Sequence, residues 1–165
     1  RMEDCGAAMV TVHGRTRSML YTGVADWDTI RKVKEQLTIP VIANGDITGA
    51  ETALRCKRWT GADGLMIGRS TFGDPWIFWE VNEALAGKPI TPRPVLKDRI
   101  AVAVQQFELA QQDLGEHIAC LQARKHFAWY LRGVPNSSFY KNEISSLTTM
   151  DDIYRVAKDI VRDLK

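Results

Sequence analysis

The sequence predicts an α/β fold with a parallel sheet, followed by a separate all-helical segment. Three observations lead there. Three short apolar runs alternate with stretches of helical period. Prolines then cluster at Lys88-Pro89-Ile90-Thr91-Pro92-Arg93-Pro94, where a stiff linker and a boundary are expected. Beyond that point every periodic segment has helical spacing.

The elements follow in order. Ala7 to Val12 is short, mostly apolar and bounded by Gly6 and His13-Gly14, which reads as a strand buried on both faces, with Gly6 suited to end a preceding helix. Asp26 can cap a helix from Trp27 to Leu37 that places Ile30, Val33 and Leu37 on one stripe before Ile39-Pro40 stops it. Val41 to Ala43 makes a second strand. Thr48 and Glu51 have the spacing of a capping box, opening a helix that turns Ala50, Ala53 and Leu54 inward and ends before Gly61. Gly64 to Ile67 is the third strand. Asp74-Pro75 then reads as an N-cap with proline at the first helical position, with Ile77, Phe78, Val81 and Leu85 behind it and Gly87 closing.

Alternation of apolar strands and helices means a parallel sheet, either open and doubly wound or part of a closed barrel. Three strands alone close nothing, and their open edges invite pairing with a second copy or with a preceding half. After the linker, Ile100, Ala103, Val104, Phe107 and Ala110 keep helical period until Gly115, and a second helix runs from about Ile118 to Leu131. Gly133-Val134-Pro135-Asn136 is a turn, and Thr149 caps a last helix carrying Ile153, Val156, Ile160 and Leu164. The expected domains are therefore 1–88 and 89–165.

Bulk properties narrow the classes. The chain has 165 residues, 45% of them hydrophobic, enough for a packed core and too many for a disordered tail. A net charge of +2 is too mild to declare a nucleic-acid binder, so that argument must rest on where the cations sit. Cys5, Cys56 and Cys120 have no metal-ligand spacing, and their odd number suits a reducing cytoplasm, with no metal expected. No apolar run approaches the roughly 18 residues of a membrane span, and the first residues lack the apolar centre of a signal peptide. A start at Arg1, a few residues before a strand, suggests a piece of something longer.

Chemistry concentrates at the strand ends. Asn44-Gly45-Asp46 lies at the carboxyl end of its strand, where parallel α/β folds bind ligands. Gly45 permits close backbone approach, and the following helix points N–H groups at the same place. A plain turn, with Asn and Asp satisfying local backbone, accounts for the same residues. Gly68-Arg69 ends the next strand and offers a backbone N–H and a bidentate fork suited to phosphate. In closed barrels the turns after the last two strands form a recurrent phosphate site, which would make these strands six, seven and eight. His13-Gly14-Arg15-Thr16-Arg17, at the end of the first strand, suits an anion or an electron-rich ring, or is solvated loop charge.

VTVHGRTRSMLYTG, IPVIANGDIT, TGADGLMIGRSTFGDPWIF and ARKHFAWYL occur in this order, and over nearly the whole chain the sequence resembles the bacterial tRNA-dihydrouridine synthases, nearest the B-type branch. The resemblance implies a (β/α)8 barrel that carries FMN, followed by a small helical domain that helps hold tRNA. It implies reduction of the C5–C6 double bond of particular uridines, with NADPH as the usual electron source and a cysteine as proton donor. By the same resemblance Asn44, Gly45 and Asp46 belong to one FMN-binding loop and Gly68 with Arg69 to the second. His13 falls beside the cofactor and Tyr21 near the target uracil. The donor cysteine and a lysine near the flavin belong to earlier strands, and none of the three cysteines here takes that role, so the chain is expected to be the carboxyl part of such an enzyme and inactive alone.

In the helical segment Lys125, Trp129 and Arg132 are spaced by four and three, with Arg124 and His126 flanking them. Cations beside an aromatic ring suit a phosphate backbone and an exposed base, though spacing alone favours core aromatics at Trp129 and Tyr130 beside an ordinary wet face. The resemblance assigns this block to tRNA. Trp76, Phe78, Trp79 and Trp59 read as packing residues. Two rivals stand beside this reading: another FMN barrel reducing a small molecule, which shares the phosphate grip, and an RNA-binding or assembly module without chemistry. Substitution of the Lys125, Trp129 and Arg132 positions separates a tRNA enzyme from a small-molecule reductase.

Overall fold

A computed structural model describes residues 2–164. The chain forms two compact units, one reaching to Thr71 and resuming over Pro75–Thr91, the other made of Phe72–Asp74 and the residues from Pro92 onward.

The first unit is a three-stranded parallel sheet, β1 (Val10–His13), β2 (Val41–Asn44) and β3 (Gly64–Met66), in the order β1-β2-β3. Register aligns His13 with Asn44 and Asn44 with Met66, so one row of residues crosses the carboxyl edge of the sheet. Helices α1 (Trp27–Gln36), α2 (Ala50–Thr60) and α3 (Ile77–Leu85) follow the strands. The core gathers Ile30, Ala43, Ile47, Ala53, Cys56, Ala62, Ile77 and Val81, with Val12, Leu65 and Ile67 packed against it. The strands supply Val12, Ala43 and Leu65, paired in one row across the sheet, and the helices supply Ile30, Ala53, Cys56, Ile77 and Val81. β1 is therefore not buried on both faces as its apolar run suggests: Val10 and Val12 are half-buried, while Thr11 and His13 are exposed. It also starts later than expected, at Val10, whose N–H donates to the Pro40 carbonyl.

Local chemistry sets the helix boundaries. The Asp26 side chain accepts from the Thr29 N–H at 3.0 Å and caps α1. At α2 the expected Thr48/Glu51 box is replaced by Thr52, whose hydroxyl accepts from the Thr48 and Gly49 N–H groups at 2.8 and 3.2 Å while Glu51 stays exposed. Leu54 is half-buried, and Ala53, Cys56 and Thr60 are the buried residues of that helix. α3 begins at Ile77 rather than at Pro75, because Asp74 is drawn to Arg93 at 2.9 Å and caps nothing. Trp76 is buried, but Phe78, Trp79, Leu85 and Trp59 are exposed, against the packing role expected of them.

The second unit is four helices, α4 (Leu96–Leu114), α5 (Glu116–Tyr130), α6 (Ser138–Ser145) and α7 (Met150–Asp163). α4 packs on α5 and α7, and α6 bridges α5 and α7. Phe107 and Phe127 meet at 5.4 Å in the centre, and α7 contributes Met150, Ile153, Val156 and Ile160 on one stripe. Thr149 and Asp152 form the capping box of α7. α6 has no counterpart in the predicted elements. Its sequence, SFYKNEIS, is largely polar and buries only Tyr140 and Ile144, so periodicity carries little signal there.

Candidate functional site

Two clusters emerge, one in each unit. In the first unit the three strand-end segments meet on Asp46. Gly45 (φ 138°) and Asp46 (φ 54°) turn the chain through backbone conformations that favour glycine and tolerate aspartate. A Cβ at Gly45 would lie 2.6 Å from that of Ala25, so this glycine serves the packing of two turns rather than leaving room for a ligand. The Asn44 side-chain amide donates to the Met66 carbonyl at 2.8 Å and ties β2 to β3 at their ends. Trp27 Nε1 donates to the Gly45 carbonyl at 3.0 Å.

The Asp46 carboxylate is heavily engaged. It accepts from the Ala25 N–H at 2.7 Å and from both Nη groups of Arg15, at 2.7 and 2.8 Å. Arg69 Nη2 stands 3.8 Å away. Burial works to raise the Asp46 carboxyl, but the Arg15 hydrogen bonds, the Ala25 N–H and the two guanidinium charges outweigh it and hold the group below its ordinary range. Arg15 further donates from Nε to the Thr22 carbonyl at 3.1 Å and from Nη2 to the Gly23 carbonyl at 2.8 Å. Its side chain is 12% exposed, against 48% for Arg69. Of the HGRTR cations, Arg15 is thus consumed within the fold.

Arg69 is differently placed. Its guanidinium lies over the Tyr21 ring at 4.5 Å, and Tyr21 itself is 72% exposed. A Cβ built on Gly68 would meet nothing within 4 Å, so that backbone is approachable. His13 is exposed at the end of β1, in the row it shares with Asn44 and Met66. The α2 N-terminus, expected to present free N–H groups, is already served by an acid: Ala50 N–H donates to Glu80 Oε1 at 2.5 Å. Sequence spacing carries no signal for Glu80, which comes from α3, nor for Arg15 as the partner of Asp46.

In the second unit Phe72 stacks on Trp129, with centroids 4.1 Å apart and planes within 3°. His126 meets both rings edge-on, and Lys125 Nζ lies 5.3 Å from the Trp129 centroid. Burial pulls the His126 imidazole below its ordinary value, and the Lys125 charge pulls the same way. Arg124 donates to the Leu147 carbonyl at 2.9 Å, so its charge is tied to the fold. Arg132 is exposed but lies beyond the end of α5 at Tyr130, so it does not share a helical face with Lys125 and Trp129 as its spacing suggests. Cys5 is exposed ahead of β1, Cys56 is buried in α2 with its thiol pushed up to about 11, and Cys120 is buried in α5 with its thiol also raised by burial. Among the described residues no group of three His, Cys, Asp or Glu side chains could hold a metal, and no helix is long and apolar enough to cross a membrane.

The dihydrouridine synthase family matches residues 1–164. The chain belongs to that family. A tRNA-dihydrouridine synthase B of Pasteurella multocida is 41% identical over 146 residues, covering 88% of this chain and 44% of that protein. One of Vibrio cholerae is 38% identical over 149 residues, covering 90% and 46%. A probable tRNA-dihydrouridine synthase of Rickettsia conorii is 40% identical over 143 residues, covering 87% and 43%. The chain therefore spans a little under half the length of these curated relatives.

Proposed function

We propose that this chain is the carboxyl part, strands six to eight, of an FMN-binding (β/α)8 barrel with a helical tRNA-binding domain, and that the whole protein reduces specific tRNA uridines to 5,6-dihydrouridine in the cytoplasm. The observation that carries the reading is Arg69: a half-exposed guanidinium at a strand end, beside an approachable Gly68 backbone and one turn from Asn44-Gly45-Asp46.

A flavin phosphate fits this corner in part. Arg69 and the Gly68 backbone can hold an anion by charge-assisted hydrogen bonds. Asn44, Gly45 and Asp46 belong to the same corner but act on its shape, since their side chain and backbone groups are committed to Met66, Trp27, Arg15 and Ala25. His13, exposed in the same strand-end row, would meet the flavin ring rather than the phosphate. Bound FMN, recharged by NADPH, is the expected source of hydride for the uracil ring. Tyr21 would face the extruded uridine. None of the three cysteines stands at the strand ends, so the proton donor is not among them and the segment alone is expected to be inactive. In the helical domain Lys125 and Arg132 would meet tRNA phosphates, while Arg124, His126 and Trp129 hold that face in shape.

The test uses the full-length protein that contains these residues. Arg69→Met is expected to weaken FMN binding by about 10- to 100-fold, the worth of one charged hydrogen-bonding partner, measured by flavin fluorescence quenching on titration into apoprotein. Unchanged FMN affinity in that variant removes the phosphate assignment, and a protein that forms no dihydrouridine in tRNA removes the activity.

A further inference from the structure

Between Gly14 and Ala25 the chain leaves the sheet as an arch. It closes on itself where the Asp26 N–H donates to the Gly14 carbonyl at 2.6 Å. Its crest is a one-turn 3-10 helix, Arg17–Met19, followed by Leu20 and the exposed Tyr21. No residue of that 3-10 turn is buried, so apolar packing does little to hold the crest. What fills the arch is Arg15. Its Nε and Nη2 reach the Thr22 and Gly23 carbonyls on the far limb, and both Nη groups clasp Asp46 on the neighbouring turn. Asp46 in turn accepts from Ala25, at the foot of the same limb.

The cluster holds two guanidiniums and one carboxylate. Arg15 takes both carboxylate oxygens at short distance, which leaves Arg69 oriented at 3.8 Å but not captured. Arg69 then rests on Tyr21 at 4.5 Å. Removing Arg15 would free Asp46 to draw Arg69 inward and would leave the far limb without its staples. From this geometry we infer that Arg15 and Asp46 are positioning residues that set the Tyr21 arch against the Arg69 turn, making the residue that faces the anion and the ring that faces the substrate one mechanical unit. The inference rests on the proposed phosphate role of Arg69.

The experiment compares Arg15→Met, Arg15→Lys, Tyr21→Ala and Arg69→Met in the full-length protein. Three quantities are read: amide exchange of Thr22, Ala25 and Asp26 in flavin-free protein, FMN affinity, and KM against kcat for tRNA. Arg15→Met is expected to speed exchange across the arch and to raise the tRNA KM about tenfold while FMN affinity stays within about threefold. Arg15→Lys keeps the charge beside Asp46 but not the fork that reaches Thr22 and Gly23, so its FMN affinity should match that of the parent while exchange across the arch stays fast. If Arg15→Met does not fold, the lysine variant carries the comparison. In a Tyr21→Ala background Arg15→Met should add little to the KM effect. Arch exchange left unchanged by both Arg15 variants, or FMN lost from Arg15→Met as fully as from Arg69→Met, overturns the inference. Full retention of FMN by Arg69→Met strikes the phosphate assignment instead, and leaves the exchange result standing by itself.

Discussion

The strand-end cluster and the aromatic cluster of the helical unit both set cations against rings, yet they spend their charge in opposite ways. At the strand ends Arg15 and Asp46 neutralise each other under partial burial, and one guanidinium, Arg69, is left half-exposed in a fixed pose. In the helical unit the shape comes from a flat ring stack, Phe72 on Trp129, and the cations open to solvent are Lys125, over the Trp129 ring, and Arg132, past the end of α5. A small anion that must sit in one place needs a preorganised donor, since the reorganisation is completed before it binds. A long polyanion is met by exposed charges whose effect is diffuse and screened by salt. The difference teaches where each unit should be rigid: the first through polar clasps, the second through ring packing.

The largest expected effect breaks the ring packing itself. Gly73 has φ 70°, and a Cβ there would lie 2.4 Å from the Trp129 carbonyl carbon and 2.6 Å from the Tyr130 nitrogen, all backbone. Backbone cannot move aside as a flexible side chain can, so Gly73→Ala should cost about 2–4 kcal/mol, combining left-handed strain with overpacking. Gly61→Ala is the control: φ 65° and ψ 7° put it in the left-handed region and only the Lys34 Cγ comes within 4.0 Å, so only the strain of about 1–2 kcal/mol remains. Urea unfolding of both variants measures the gap. Equal losses would mean that the Phe72–Trp129 stack is not seated by Gly73.

How much of this is legible in the sequence differs between the two clusters. The β-α order and the Asp26 and Thr149 caps follow from local rules, because caps and periods act within a few residues. Asn44-Gly45-Asp46 and Gly68-Arg69 can be singled out because each ends a strand. Their actual contacts cannot: Arg15 meets Asp46 across 31 positions and Glu80 meets Ala50 across 30, and no spacing rule reaches that far. The same limit explains Arg124 and Arg132. Helical spacing places them near Trp129 but does not reveal that one is tied to the Leu147 carbonyl or that the helix ends at Tyr130. Glycines are ambiguous for the same reason, since Gly45 and Gly73 make room for the protein's own backbone and side chains.

A second, smaller effect sharpens the contrast of spent and unspent charge. In the full-length protein, Lys125→Ala and Arg132→Ala should each lower the slope of log affinity for tRNA against log salt by about one unit, uniformly across tRNA sequences. Arg124→Ala should leave the slope nearly unchanged, because that guanidinium is bound to a carbonyl. Filter binding at several salt concentrations reads all three. Equal slopes for Lys125→Ala and the parent protein would place the phosphate contacts elsewhere.

The smallest effect compares one carboxylate from each unit. Asp46 and Asp152 are both held below their ordinary range, Asp46 by outweighing its burial with Arg15 and Ala25, and Asp152 by the Thr148 N–H and hydroxyl and the Thr149 N–H, which take it to about 2. A depressed carboxyl stabilises the fold fully above its unfolded value, near pH 4, and loses that contribution as pH falls through the folded value. Both contributions should therefore fade below about pH 4 and be fully present, without pH dependence, near neutrality. The consequences separate by architecture. Protonating Asp152 removes a cap and frays only the first turn of α7. Protonating Asp46 unclasps Arg15 and, with it, the limb that carries Tyr21, so amide exchange at Thr22 and Ala25 should accelerate with acid relative to that of the β2 strand. Asp46→Asn should make that acceleration pH-independent, because an amide can still accept from Ala25 but no longer pairs with two guanidiniums. An arch whose exchange ignores acid in the parent protein would show that hydrogen bonds to carbonyls, rather than the Asp46 charge, hold it in place.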